Sequence, residues 1–578
     1  MKRKLLLLIF CWPLLLAASA PPAQTPQTPS VQTSFDNLVD RFFDSYYRFN
    51  PTAATEAGFH QYDDKLEDFS RNTIEAEVAE LSKLQAEFDE FPKAELTEEA
   101  AGDFAFLDST IKAQLLELQN IQSWKKNPDF YPESVSESIF LVMRRNFAPP
   151  DERLRSVIAR ERQIPPALEE ARRNLANPPR VYTEVALQEL PDTIEFFRHD
   201  VPAAFADVKD SKLLVDLTSS NRATVVALAG YQTYLRKTLL PASHGDFRIG
   251  AENYQKKLLY EEMVDIPLDR LLEIGYADLR QNQQRFKQVA AQIDPKRSPQ
   301  EVLATLEKDH AAPDQLLQSI RDLLSNLQQF IAQKRIVTIP SQVLPIVEET
   351  PAFMRALTTA SMDTPGAYES KATEAMFNVT TPEPDWKPEQ TEKWMEGFSR
   401  GTITSVAIHE AYPGHYVQFL WVQHAPSKTR KLLYSNSNAE GWAHYCEQMM
   451  FDEGYGGRSP QLLIGQLQDA LLRDARFIAG IKMHTGQMTI DQAKQFFVDE
   501  GYQVPPIAEV EAKRGTSDPT YLVYTLGKLQ IMKLREDYKK MKGDNFSLLE
   551  FHDRFLQQGA VPLKIIRKAM LGNDSPTL

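Results

Sequence analysis

The stretch Ser34-Phe35-Asp36-Asn37-Leu38-Val39-Asp40-Arg41-Phe42-Phe43-Asp44-Ser45-Tyr46 sets the pattern for this chain. Phe35, Leu38, Val39, Phe42, Phe43 and Tyr46 recur three and four residues apart, with mostly polar residues between them. At about 100° of rotation per residue, that spacing gathers the apolar side chains on one face of an α-helix. The same period returns further along. Pro267 stands where the first turn of a helix tolerates proline, and Leu268, Leu271, Leu272 and Leu279 continue the stripe. Leu317, Ile320, Leu323, Leu324 and Leu327 form another. Alternation with period two is scarce. Its best instance is Ala375-Met376-Phe377-Asn378-Val379-Thr380, ahead of Pro382, Pro384 and Pro388. The chain therefore reads as mainly α, with at most a small β element.

Residues ahead of this first stripe read differently. Lys2, Arg3 and Lys4 precede an apolar run from Leu5 to Leu16, and Ala17-Ala18-Ser19-Ala20 follows. That is the layout of a secretory signal peptide over residues 1–20. The run is shorter than the roughly 20 residues a membrane span needs. The expectation is therefore an exported protein, periplasmic or extracellular, with no stable span after cleavage; an uncleaved anchor is the alternative. Cys11 follows Phe10, not a small residue, which argues against lipid modification there. Residues 21–33 are rich in Pro, Gln, Thr and Ser and read as a flexible linker. From 34 to 574 no biased stretch marks a cut, so one helical domain is expected, in one or two lobes.

Composition narrows the function classes. The chain has 578 residues, 42% hydrophobic and 25% charged, as in a folded globular protein. Its net charge is −14, and losing Lys2, Arg3 and Lys4 with the signal segment makes that −17. Such a chain repels phosphate backbones, so no nucleic-acid partner is expected. Without Cys11 only Cys446 remains, which cannot form an intramolecular disulfide. Asn378-Val379-Thr380 matches a glycosylation acceptor, a pattern common by chance.

The chemistry concentrates between residues 409 and 484, which hold five of the ten histidines. In Ile408-His409-Glu410-Ala411-Tyr412-Pro413-Gly414-His415-Tyr416, a His-Glu pair is followed by a second histidine. In the HExxH zinc motif, histidines four apart share a helix face and the Glu between them takes a proton from water. Here the spacing is six. On an unbroken helix the two imidazoles would point about 120° apart and lie about 9 Å apart along the axis. Proline lacks the N–H of the helix ladder and glycine adopts backbone angles other residues avoid, so Pro413-Gly414 can loop out. Without those two residues the motif is His-Glu-Ala-Tyr-His. Catalytic zinc usually takes three protein ligands. The stretch Asn438-Ala439-Glu440-Gly441-Trp442-Ala443-His444-Tyr445-Cys446-Glu447 presents Glu440, Ala443, His444 and Glu447 along one helix face. Glu440 is the expected third ligand. His444 or Glu447 is the alternative ligand or a hydrogen-bonding support. Trp442 and Cys446 read as core, and His424 as a surface residue.

His-Glu-Ala-Tyr-Pro-Gly-His-Tyr with the downstream Glu-Gly-Trp-Ala resembles the domain of unknown function 885 family, regarded as zinc metallopeptidases related in layout to helical oligopeptidases and carboxypeptidases of the gluzincin group. The opening Asn50-Pro51-Thr52-Ala53-Ala54-Thr55-Glu56-Ala57-Gly58 with His60-Gln61-Tyr62-Asp63 fits the same family. So do Thr350-Pro351-Ala352-Phe353-Met354 and Ser361-Met362-Asp363-Thr364-Pro365-Gly366. The resemblance implies a large helical fold with a deep central cleft. It also implies an Arg-rich segment ending in a histidine, matched by Arg473, Arg476 and His484, and a Tyr-x-x-Gly element matched at Tyr524. Gly480 stands where the family pattern has an acidic residue.

These expectations combine into zinc-dependent hydrolysis of peptide bonds in peptides or short unfolded segments. One zinc per chain is expected, held by His409, His415 and Glu440, though the same donors admit another divalent metal. Glu410 would serve as base and later protonate the leaving amine. Tyr524 and His484 would donate to the oxyanion. Arg476 would hold a substrate C-terminal carboxylate through paired hydrogen bonds. The alternatives are a zinc-containing peptide-binding protein without turnover, and an amidase acting on a non-peptide acyl bond.

Overall fold

The computed structural model describes residues 30–341, 343–350, 355 and 359–578. The expected signal segment, residues 21–29 of the linker and Pro351 to Met354 of the family-like middle stretch lie outside these. The described chain is built mainly of α-helices. The first runs Val31–Phe49, starting inside the expected linker because the Ser30 side chain accepts the Thr33 N–H and caps it. It buries Phe35, Leu38, Val39, Phe42 and Phe43. Each such side chain contributes roughly 2 kcal/mol. Pro267 caps a helix over Leu268–Ile293, and the leucine stripe near 320 lies in a helix over Leu316–Lys334. None of the described helices is long and apolar enough to cross a membrane.

The expected strand is Met376–Val379, the centre of a three-stranded sheet. β1 (Ile346–Glu349) pairs with it in parallel and β2 (Ala360–Asp363) in antiparallel, so the central strand is β3. Val347, Phe377 and Val379 join an apolar core with Ala407, Ile408 and Trp442, which seats the sheet behind the helices carrying the site. Asn378 is only 2% exposed, so its side chain is closed to a glycosyl donor in the folded protein.

Five helices position the chemistry: the His409 helix (Arg400–Glu410), the His415 helix (His415–Val422), the Glu440 helix (Asn436–Asp452), the Arg473 helix (Pro460–His484) and the Tyr524 helix (Val523–Lys542). The Glu440 and Tyr524 helices cross backbone to backbone. A Cβ on Gly441 would lie 2.5 Å from Gly527 Cα, and one on Gly527 would lie 1.7 Å from the Ser437 carbonyl oxygen. Glu440 directly precedes one of these glycines and Tyr524 lies three residues before the other, so the crossing sets both beside each other. Gly465 and Gly401 make a similar contact between the Arg473 and His409 helices, 2.5 Å from an added Cβ to the facing carbonyl carbon.

Candidate metal centre

The His409 helix stops at Glu410, and a new helix begins at His415 and runs to Val422. Between them the Tyr412–Pro413 peptide is cis, and the turn returns N–H groups to the carbonyls at the helix end. The Gly414 N–H donates to Ile408 O at 3.0 Å, and the Ala411 and Tyr412 N–H groups donate to Ala407 O. A helix end buried without such partners would be costly. Trp442 on the Glu440 helix donates its indole N–H to Pro413 O at 2.9 Å. This bulge brings the imidazole centroids of His409 and His415 within 4.8 Å, the planes at 89°.

Glu440 completes the convergence. Its Oε2 lies 3.4 Å from His409 Nε2 and 3.5 Å from His415 Nε2. One ligand atom from each of the three residues lies within 4.8 Å of the other two. Bonds of about 2.0–2.1 Å to a tetrahedral zinc would set neighbouring ligand atoms roughly 3.4 Å apart. The two carboxylate-to-imidazole distances match that edge. Glu440 Oε2 is buried and has no hydrogen-bond partner among the described residues, as a donor atom kept for a cation would be. Burial alone would raise the Glu440 carboxyl pKa; the two facing imidazoles overcome this and hold it well below the usual range.

Behind this triad stands a second layer. His409 Nδ1 donates to Glu447 Oε1 at 2.7 Å, which leaves Nε2 free to face Glu440. Glu447 Oε2 receives Arg473 Nη1 at 3.0 Å and His444 Nδ1 at 3.1 Å. Burial opposes the Glu447 charge, yet Arg473 and His444 keep its pKa far below the ordinary value. Burial pushes the His444 imidazole down to about 3, so it is neutral. His444 and Glu447 thus support the site from behind, and neither joins the triad. Burial likewise opposes a charge on His409, but Glu440 and Glu447 raise it to about 9. Two carboxylates facing one imidazole pair call for positive charge at this point.

The remaining expected residues separate. Glu410 directly follows His409, closes its helix and is half-buried. The Tyr524 ring lies nearly parallel to the His409 imidazole, with 6.4 Å between ring centroids and 23° between planes. Burial and the Glu440 carboxylate raise its pKa, so the phenol keeps its proton. Arg476 sits over that ring, 5.2 Å from its centroid, but its fork is closed: Nε and Nη2 donate to the two oxygens of Glu511, each at 2.7 Å. The expected carboxylate clamp is therefore already spent within the protein. His484 is not brought to the triad either. It lies eleven residues beyond Arg473, about 16 Å along the helix. Its ring is 1% exposed, and both nitrogens meet backbone, Nε2 at Gly515 O (2.8 Å) and Nδ1 at the Ile249 N–H (3.4 Å). It joins the Arg473 helix to its neighbours. Gly480 has no room for an acidic side chain, since a Cβ there would lie 2.8 Å from Pro519 O and from the Tyr521 ring.

Trp442 and Cys446 are buried and His424 is exposed, as their sequence context suggested. Arg473 was legible as a partner only in outline: it precedes Arg476 by three residues and so shares its face.

A family model described as bacterial protein of unknown function (DUF885) matches residues 51–570. The chain belongs to this family. Among solved structures, DUF885 architecture is shared with a protein from Shewanella oneidensis provisionally described as a lipoprotein of unknown function. That chain is 27% identical, with a TM-score of 0.78, covering 94% of this chain and 100% of the other. A provisionally described lipoprotein from Colwellia psychrerythraea, 18% identical, has the same fold at a TM-score of 0.79, covering 94% and 99%. No curated protein matches.

Proposed function

We propose that this DUF885 protein is a zinc-dependent hydrolase of peptide bonds in peptides or short unfolded segments. The observation that carries the reading is the convergence of His409 Nε2, His415 Nε2 and a hydrogen-bond-free Glu440 oxygen on one point. These donors suit zinc and would hold it with one position left for water. When bound, the metal would acidify that water and polarise the substrate carbonyl.

The chain's own residues would do the rest. Glu447 holds His409 in the tautomer that presents Nε2, and Arg473 keeps Glu447 charged for that task. Glu410, next to His409 at the helix end, would take the proton from the attacking water and hand it to the leaving amine. The Tyr524 hydroxyl, protonated and near the triad, would donate to the oxyanion. Export is part of the proposal, supported by the N-terminal layout and by relatives provisionally described as lipoproteins.

Purified protein loaded with zinc should cleave a mixed peptide library, with products read by mass spectrometry. Glu410→Gln should retain the metal and lose about 10²- to 10⁴-fold in kcat. Equal products from wild type and variant would overturn the mechanism.

A further inference from the structure

With Arg476 closed by Glu511, another cation near the site stands out. Glu511 lies in a helix over Pro505–Ser517, so its paired bonds to Arg476 fasten that helix to the Arg473 helix. Arg514 follows Glu511 by three residues and therefore shares its face. Its side chain lies against Tyr524, the residue stacked on His409. Unlike Arg476, which is 8% exposed and paired with both oxygens of Glu511, Arg514 is exposed. Its partners are the Tyr524 hydroxyl and one oxygen of Asp518, whose Oδ2 accepts from Nε and Nη2 at 3.2 and 3.0 Å. Nη1 has no carboxylate partner among the described residues. Arg473 and Arg476 lie 5.6 and 5.2 Å from the centroid of the same Tyr524 ring. Three guanidinium groups thus surround one tyrosine beside the triad, and Glu447 and Glu511 occupy two of them.

We infer that Arg514 receives the free C-terminal carboxylate of a bound peptide, so that the substrates are peptides with an open carboxyl end. The Nη1 side of its fork offers the donors a planar carboxylate takes, and its tie to Asp518 orients that fork without consuming it. Tyr524 links this subsite to the triad, which sets cleavage at a fixed short distance from the carboxyl end. The inference deepens the peptide-hydrolase reading and rests on it for the kind of ligand.

Its test measures binding, so that it fails separately from hydrolysis. Zinc-loaded Glu410→Gln protein is titrated calorimetrically with acetyl-tetraalanine as the free acid and as the C-terminal amide. The acid should bind about 10- to 100-fold more tightly, the range expected for hydrogen bonds to a charged group. In the Glu410→Gln/Arg514→Ala double variant that ratio should fall to about one, and Arg514→Lys should restore part of it. Equal affinity for acid and amide in the Glu410→Gln protein would overturn the assignment, even if Arg514→Ala failed to fold. So would an amide ending in glutamate that binds as well as the free acid. Absence of cleavage by wild type would instead count against the hydrolase reading.

Discussion

Gly414 lies against His409 so closely that a Cβ on it would sit 1.8 Å from the His409 carbonyl oxygen. The second metal-facing histidine is placed by this contact, because His415 follows Gly414 directly. Any side chain at 414 must push the turn away from the helix end and carry the His415 imidazole with it.

Gly414→Ala should therefore lower both stability and metal affinity. Overpacking a tight site costs on the order of 3 kcal/mol. Urea unfolding of metal-free protein should register that loss, and zinc titration should show weakened binding. An alanine variant equal to wild type in both would remove the turn from the account.

Glu440 and Glu447 should differ sharply when changed. Glu440→Ala removes a donor whose oxygen lies 3.4 and 3.5 Å from the two imidazole nitrogens, so zinc retained after dialysis should fall to near background. Glu447→Gln keeps the shape and removes the charge behind His409, which should weaken zinc roughly 10- to 100-fold. Full zinc occupancy in Glu440→Ala would transfer the third-ligand role to another carboxylate.

His552 provides a pH test away from the metal. It is fully buried, with Nδ1 donating to Ile336 O at 2.8 Å and Nε2 accepting from the Tyr445 hydroxyl at 2.9 Å. Burial holds its pKa down to about 3. The unfolded chain, with an ordinary imidazole near 6.5, binds a proton that the folded protein refuses. Its contribution is complete above about pH 6.5 and is lost as pH falls toward 3. Between pH 6.5 and 5 the loss is roughly 2 kcal/mol. His552→Asn should flatten the stability-versus-pH slope by about one proton in that window, read from urea midpoints. An unchanged slope would show that another group sets it.

By itself the sequence determined the helical class, the buried faces of the first and leucine-striped helices, and the broken helix at Pro413-Gly414. These follow from neighbouring residues alone: the 3.6-residue period and the backbone chemistry of proline and glycine act within one or two turns. Glu440, His444 and Glu447 share one helix face, and nothing in their spacing says which meets an imidazole and from which side. The Gly441–Gly527 crossing decided it, by setting how deep the Glu440 helix lies. The closure of Arg476 by Glu511, 35 residues away, and the backbone partners of His484 were likewise tertiary outcomes. A side chain's charge is local, but what neutralises it depends on which distant helix arrives beside it.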